Sequence, residues 1–146
     1  MKTINPYLSF NGKCEEAFNF YKSVFGGKFL VVKRFKEMPE NPNCPISASE
    51  KEKIMHISLP ISKETVLFGC DSLQAFEDTT VLGDNISLSI DTDSTDEATR
   101  IFNELSSGGN VTMPMEKTFW NAYYGMVTDK FGISWMVNYD LSEAKN

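Results

Sequence analysis

The sequence contains a single histidine, His56, among its 146 residues. Protein sites for zinc, nickel or iron usually combine several imidazole, thiolate or carboxylate ligands, so this scarcity argues against a histidine-rich metal centre. The three cysteines, Cys14, Cys44 and Cys70, include no CxxC pair. An odd number of cysteines without paired spacing predicts free thiols in a reducing compartment.

Long apolar runs and basic clusters are also missing. No hydrophobic stretch approaches the roughly 20 residues that span a bilayer, and Met1–Pro6 lacks the apolar core of a secretory signal. The net charge is −6, with 14 Lys and Arg against 20 Asp and Glu. Without a basic cluster the chain has little to neutralise nucleic-acid phosphates. We therefore expect a cytoplasmic protein that binds neither membranes nor nucleic acid.

Two segments have the apolar periodicity of amphipathic helices. In the first, apolar residues recur at helical spacing over 14–25. In the second they recur over 98–105, after a capping box formed by Ser94 and Glu97. A Gly-Gly pair follows each segment, as expected just beyond a helix.

Strand-like segments fill most of the remaining chain, in the order strand, helix, three strands, and then the same order again. This repeat predicts an α+β domain over 1–146, built from two βαβββ modules at 5–73 and 84–140 and joined by 74–84. The predicted strands are Tyr7–Phe10, Phe29–Lys36, Ile54–Ile61, Thr65–Cys70, Asn85–Asp91, Val111–Glu116, Tyr124–Thr128 and Ile133–Tyr139.

Alternation along these strands predicts one apolar face and one semi-polar face. Met55, Ile57 and Leu59 share the apolar side of one strand, as Ile86, Leu88 and Ile90 do in another. The semi-polar side has almost no Lys or Glu, unlike most solvated sheet faces. We therefore expect a curved mixed sheet with its helices on the convex face and a cavity on the concave face; the alternative is a face open to solvent. The semi-polar residues are Tyr7, Ser9, His56, Ser58, Asn85, Ser87, Ser89, Ser134, Met136 and Asn138.

A long connection breaks the symmetry between the two modules. Residues 37–53 are rich in Pro, Asn, Ser and charge, and the equivalent connection in the second module is shorter. Loops of this length are usually functional lids or mobile segments. The sequence leaves both interpretations open.

Three segments, 6–27, 53–60 and 119–135, resemble the PhnB-like proteins of the vicinal oxygen chelate superfamily, which includes glyoxalases, bleomycin-resistance proteins and dioxygenases. The third segment is the most specific, with FW, YG, D-x-FG and W in order. The resemblance covers about 5–139. It implies paired βαβββ modules that jointly form a cavity, and a homodimer.

Metal-dependent members of that superfamily hold a divalent ion with His and Glu side chains from four strands. Carried over residue by residue, these positions fall at Asn5, at His56 or Ser58, at Asn85 and at Met136. Of these, only His56 is a good ligand, and the only carboxylate expected on the concave face is Asp91. A glyoxalase needs a carboxylate base beside its metal. We therefore predict no metal site.

Some PhnB-like relatives carry the label of a demethylubiquinone methyltransferase domain. The sequence has no glycine-rich turn between a strand and a helix that would hold S-adenosylmethionine. We therefore expect no cofactor.

His56 is the candidate catalytic residue, acting either as a general base or as a hydrogen-bonding group for a ligand. The alternative is a buried histidine bonded to a neighbouring Ser or Asn. Trp120 and Tyr124 form either an aromatic wall of the cavity or part of the core or dimer interface, while Met136 is either a ligand contact or adaptable packing. The candidate ligand-binding residues are Tyr7, His56, Ser58, Asn85, Ser87, Trp120, Tyr124 and Met136.

Three functions fit these observations. The first is metal-free binding of a small molecule in the cavity of a homodimer. The second is an enzyme of lyase, isomerase or dioxygenase type, which uses His56 or a metal on a small organic substrate. The third is a dimerisation module without chemistry. The fold alone does not choose among them, because function depends on the site.

Overall fold

The computed structural model describes residues 1–76 and 78–145. The chain divides into two compact units, the first ending at Val81 and the second beginning at Leu82. Within the described ranges no helix has the length and hydrophobicity to cross a membrane.

The first unit contains one four-stranded mixed sheet in the order β1-β4-β3-β2. β1 and β4 run parallel, and the other neighbours are antiparallel. Short 3-10 turns lie at Phe35–Glu37 and Gln74–Phe76. The elements are β1 Tyr7–Phe10, α1 Cys14–Phe25, β2 Val31–Arg34, α2 Ala48–Lys51, β3 Ile54–Pro60 and β4 Val66–Asp71.

The second unit repeats this arrangement with the sheet order β5-β8-β7-β6. β5 and β8 are parallel, and the remaining pairs are antiparallel. The α+β class and the repeated βαβββ order predicted from the sequence are confirmed. The elements are β5 Leu88–Asp91, α3 Thr95–Ser106, β6 Asn110–Lys117, β7 Ala122–Thr128, β8 Ser134–Asp140 and a 3-10 turn at Leu141–Lys145.

A phenylalanine lies over a strand glycine in each module. Phe18 of α1 is fully buried, and a Cβ added to Gly69 of β4 would lie 2.7 Å from its ring atom Cζ. Phe102 of α3 lies in the same way against Gly125 of β7, where the distance to Cε2 would be 2.9 Å. Because glycine has no side chain, each helix can approach its sheet closely. One face of each sheet is therefore covered by its helix.

A buried aspartate at the end of β4 holds the start of α1. Asp71 Oδ1 accepts hydrogen bonds from the backbone N–H of Gly12 at 2.9 Å and of Cys14 at 3.0 Å, and its Oδ2 accepts from Ile54 N–H at 2.9 Å. The residue at the N-cap of α1, Lys13, makes no side-chain cap. Asp71 therefore satisfies backbone donors that the helix terminus leaves open.

The D-x-FG…W motif has a structural explanation in the turn between β7 and β8. Asp129 Oδ1 accepts from the backbone N–H of Phe131 at 2.8 Å and of Ile133 at 3.1 Å, while Oδ2 accepts from the Trp135 indole at 2.8 Å. Gly132 has φ +93°, a conformation that favours glycine. This motif therefore specifies a turn organised by a buried aspartate.

One predicted strand face is wrong at its first residues. Lys33 pairs with His56 but Arg34 pairs with Ile54, so the register shifts at Met55. Ile54 is fully buried, whereas Met55 is only half-buried. The irregularity therefore puts Ile54, and not Met55, into the core, because a bulge reverses the alternation beyond it.

The predicted strand Asn85–Asp91 is too long at its start. β5 begins at Leu88, which pairs with Trp135, the second residue of β8. Because β8 begins only one residue before this pairing, the segment before Leu88 has almost no neighbouring strand to bond with. Asn85 and Ser87 therefore lie before the start of β5. Ile86, predicted to face the core, is 75% exposed.

Candidate functional site

The face of the first sheet opposite α1 carries the candidate site. Gly69 and its partner Ile57 lie on the side of α1, so their neighbours along each strand point to the other side. That side combines the predicted semi-polar residues with two residues of β4. Its members are Tyr7, Ser9, His56, Ser58, Phe68 and Cys70.

Three aromatic rings lie together on this side, and we call them the aromatic face: Tyr7, His56 and Phe68. The Tyr7 hydroxyl lies 3.1 Å from His56 Nδ1. The His56 and Phe68 ring centroids are 5.6 Å apart at an interplanar angle of 24°, and those of Tyr7 and Phe68 are 6.2 Å apart at 22°. Tyr7 is 52% exposed, so part of this near-parallel group of rings is accessible.

Strand register explains why these residues meet. Tyr7 of β1 pairs directly with Phe68 of β4, and Phe68 pairs with Ser58 of β3, two residues from His56. Side chains that are opposite or diagonal across neighbouring strands lie within contact distance. The aromatic face is therefore a product of sheet pairing between residues that are far apart in sequence.

The Tyr7 phenol is held in its protonated form. Burial, together with the neighbouring Cys70 thiol, raises the pKa of Tyr7 to about 12. The protonated hydroxyl can donate to Nδ1 of a neutral His56 ring, which leaves the ring proton on Nε2. Among residues 1–76 and 78–145, Nε2 has no hydrogen-bond partner. It is therefore available to a ligand.

The remaining members of this side differ in accessibility. Ser58 lies beside Phe68, but it is only 3% exposed, so its contact with a ligand would be limited. Ser9 Oγ and Cys70 Sγ are 3.9 Å apart, which is a weak contact. Tyr7, His56 and Phe68 are consequently the groups best placed to touch a bound molecule.

In the second module, Tyr124 and Met136 lie on the sheet face opposite α3. Tyr124 pairs with Asn138, and Met136 is two residues away on the same strand. Both side chains are half-buried. Trp120 lies in the turn before β7, is 56% exposed, and has its ring centroid 6.0 Å from that of Tyr124. These three predicted residues therefore form a separate aromatic and thioether group within the second module.

Asn85 and Ser87 do not join that group through strand pairing. They lie in the segment before β5, and Asn85 is exposed while Ser87 is half-buried. The structure therefore places six of the eight predicted residues on or beside the two sheet faces and these two outside them.

Several residues of the faces were missed by sequence reasoning. Phe68 and Cys70 alternate with the buried Leu67 and Gly69, so the alternation of β4 contained the signal. Glu116 pairs with Tyr124 and adds a carboxylate to the second face. The register of β6 shifts before Glu116, so alternation could not have identified it.

The superfamily's divalent metal does not fit the residues present. In the described ranges no group of three or more His, Cys, Asp or Glu side chains is arranged to hold a metal ion. Asn5, at the first expected ligand position, uses its amide within the fold, since Oδ1 accepts from Val66 N–H at 3.0 Å and Nδ2 donates to Thr3 at 3.0 Å. With a thioether at Met136, His56 is the only strong donor among these positions.

S-adenosylmethionine also lacks a matching loop. The strand-to-helix turns are residues 11–13, with one glycine, and 92–94, with none. The Asp71 carboxylate already occupies the start of α1. These turns do not provide the glycine-rich backbone that binds dinucleotides and related cofactors.

Comparison with known proteins identifies the family. The family model described as 3-demethylubiquinone-9 3-methyltransferase matches residues 2–138. Protein YjdN of Escherichia coli strain K12 is 30% identical over 141 residues, which cover 92% of this chain and 93% of YjdN.

Two solved structures are similar over nearly their whole length. Protein PA1353 from Pseudomonas aeruginosa is 40% identical with a TM-score of 0.82, and the match covers 94% of this chain and 97% of that one. A putative 3-demethylubiquinone-9 3-methyltransferase, PhnB protein, from Bacillus cereus is 24% identical with a TM-score of 0.75, covering 93% and 98%. The chain therefore belongs to the family described as 3-demethylubiquinone-9 3-methyltransferase.

Proposed function

We propose that the protein binds a small organic molecule on the aromatic face of the first module, without a resident metal. The observation that supports this function is the hydrogen bond between Tyr7 and His56 beside Phe68. Aromatic walls with a few oriented polar groups are typical of small-molecule sites. The donor set of this face suits an organic ligand better than a cation, because its strongest donor is a single imidazole.

The chemistry of the aromatic face suggests a class of ligand. Near-parallel rings favour a flat conjugated group that packs against them in an offset or edge-to-face arrangement. The Nε2–H group of His56 would donate to an acceptor on that ligand, such as a carbonyl oxygen. We therefore propose a planar, conjugated molecule that carries a hydrogen-bond acceptor.

Residues of the second module belong to the same proposal. We propose that Trp120, Tyr124 and Met136, which lie together within the second module, also contact a small organic ligand. Asn85 and Ser87 would contribute from the segment before β5. The homodimer is likewise proposed, and β6 supports it as an exposed edge strand with Val111 43% and Met113 44% accessible. Sedimentation as a monomer at micromolar concentration would contradict the dimer.

We also propose that the protein functions in the cytoplasm. Cys14, Cys44 and Cys70 are all free thiols, which fits a reducing compartment. Fractionation of cells that produce the tagged full-length chain tests this location. Recovery in the periplasm or outside the cell would contradict it.

Ligand binding is tested by thermal shift and NMR titration with a panel of aromatic ketones, quinones and phenols. A compound at about 100 times its Kd adds roughly 2.7 kcal/mol, or several degrees for a domain of this size. His56→Ala should abolish most of this stabilisation. Leu30→Ala, which removes an apolar side chain that is 70% exposed and outside the aromatic face, serves as the control and should leave it unchanged. Failure of every planar compound to stabilise the protein would count against the proposal.

The metal-free part of the proposal has its own test. Chelator-treated protein is melted with Mn²⁺, Fe²⁺, Co²⁺, Ni²⁺, Cu²⁺ and Zn²⁺ in turn. We expect no rise in Tm that depends on His56. A rise with one ion that is lost in His56→Ala would overturn it in favour of a metal-dependent enzyme.

A further inference from the structure

The long connection after β2 encloses a cavity of about 370 Å³ within the first module. Its walls come from Phe35 and Lys36, from residues 38–42 and 44–46, from Lys51 of α2 and from Phe76 beyond β4. This volume is about the size of sites for small organic ligands and far exceeds the roughly 30 Å³ that one water molecule occupies. No residue of the aromatic face lines it.

The inner wall of this cavity is apolar. Phe35 is 7% exposed and Phe76 is 43% exposed, and their ring centroids are 6.0 Å apart at 59°. Met38 and Ile46 add apolar surface from the connection itself. The accessible ring of Phe76 leaves apolar surface in contact with water. A ligand that covers this ring would remove that surface from water, which is favourable.

Two ammonium groups lie at the cavity wall. Lys36 Nζ is 3.1 Å from Glu52, whereas Lys51 Nζ is 3.7 Å from Glu40, whose side chain is 91% exposed. An ion pair this long and this exposed is worth little. Another anion can therefore replace the Glu40 carboxylate beside Lys51 at a small cost in free energy. Glu40 itself also lines the cavity.

The connection is held to the module rather than simply extended into solvent. Cys44 Sγ lies 3.2 Å from the carbonyl oxygen of Ala75, next to Phe76. Phe35 N–H donates to the carbonyl oxygen of Lys53 at 3.1 Å, which closes the base of the connection. These two bonds hold the chain at Phe35 and beside Phe76, whose rings form the apolar wall.

We propose that this cavity is a second ligand site, which binds an organic anion with an aromatic or branched apolar body, such as an aromatic carboxylate. The apolar body packs against the wall formed by Phe35 and Phe76, and the carboxylate replaces Glu40 at Lys51. This assigns a binding role to residues 37–53 that is independent of the aromatic face.

The test uses phenylacetate and its uncharged analogue phenylacetamide in a ¹⁵N NMR titration of the full chain. Phenylacetate should shift the backbone amides of Phe35, Ile46 and Phe76. Lys51→Gln should weaken phenylacetate about fivefold, the effect of roughly one partly exposed charge pair, and leave phenylacetamide unchanged. Phe76→Ala should weaken both compounds.

Lys63→Gln is the matched control, because it removes the same charge from an exposed loop outside the cavity. Equal weakening by Lys63→Gln and Lys51→Gln would overturn the proposal by showing a general charge effect. Shifts confined to Tyr7, His56 and Phe68 would overturn it too, while leaving the proposed function of the aromatic face intact. The absence of any chemical shift change at millimolar phenylacetate would also overturn the proposed second ligand site.

Discussion

The hydroxyl of Tyr7 and Nδ1 of His56 lie 3.1 Å apart across three adjacent strands. Tyr7 is on β1, His56 is on β3, and β4 with Phe68 runs between them. The bond orients the only imidazole of the protein and turns its other nitrogen away from Tyr7. This relationship links the sheet order of the first module to the ligand chemistry that we propose.

The tautomer of His56 should depend on Tyr7. We expect Tyr7→Phe to change the imidazole from mainly the Nε2–H form to a mixture, because the ring loses the donor at Nδ1. The ¹⁵N and ¹³C NMR signals of the ring measure this, and they need no assignment by mutagenesis since the chain has one histidine. Tyr124→Phe is the control, and identical spectra for Tyr7→Phe and wild type would refute the expectation.

Stability at high pH should fall more in the wild type than in Tyr7→Phe. The folded-state pKa of Tyr7, about 12, lies above the ordinary 10.0. The unfolded chain therefore loses this proton at a lower pH than the folded chain. The contribution of the Tyr7 phenol to the free energy of unfolding is complete below about pH 10 and is lost as pH rises toward 12. Urea midpoints at pH 8 and pH 11 test this. Equal losses in the two proteins would show that the Tyr7 phenol is not linked to folding.

The three thiols should differ in reactivity. Cys14 is fully buried, and burial together with the nearby Asp71 carboxylate raises the pKa of its thiol far above the usual range. Cys44 and Cys70 are half-buried. With Ellman's reagent at pH 8 we expect two thiols to react in the folded protein and the third only after unfolding. A Cys44→Ser, Cys70→Ser variant should show no reaction until urea is added; rapid labelling of this variant would contradict the burial of Cys14.

Gly69→Ala should destabilise the first module by about 1–3 kcal/mol, the usual cost of overpacking a tight core. The added methyl group would lie 2.7 Å from Cζ of Phe18 and 3.1 Å from the carbonyl oxygen of Leu8. Gly83→Ala, whose new methyl would meet nothing closer than 3.8 Å, is the control. Urea unfolding gives both values, and Phe18→Leu should partly rescue Gly69→Ala. Equal stability of the two alanine variants would show that α1 can move away from the sheet.

Local sequence patterns were enough to predict the two long helices, α1 and α3, but not the short α2 within residues 37–53. The apolar stripe over 14–25 and its terminal glycines correspond to α1 at both ends. Ser94 accepts a hydrogen bond from Glu97 N–H at 3.0 Å, as the capping box predicted for α3. Helix periodicity and capping involve residues three or four apart, so they can be recognised without knowing what the helix packs against.

Strand ends and strand faces depended on partners that are distant in the chain. Whether Ile54 or Met55 entered the core was decided by the pairing with β2, and the start of β5 at Leu88 was decided by where β8 begins. A strand acquires its hydrogen bonds only from neighbouring strands. Its limits and bulges therefore cannot be read from its own alternation.

The sequence by itself determined the α+β class, the repeated βαβββ order and the scarcity of metal ligands, because these depend on local periodicity and on composition. Only the tertiary structure decided which side chains meet. Tyr7, His56 and Phe68 come from three strands, and their contact exists because β1 pairs with β4 and β4 with β3. The cavity lined by Phe35 and Phe76 likewise depends on a connection folding back on its module. Such contacts depend on register and chain path, which residue pattern alone does not specify.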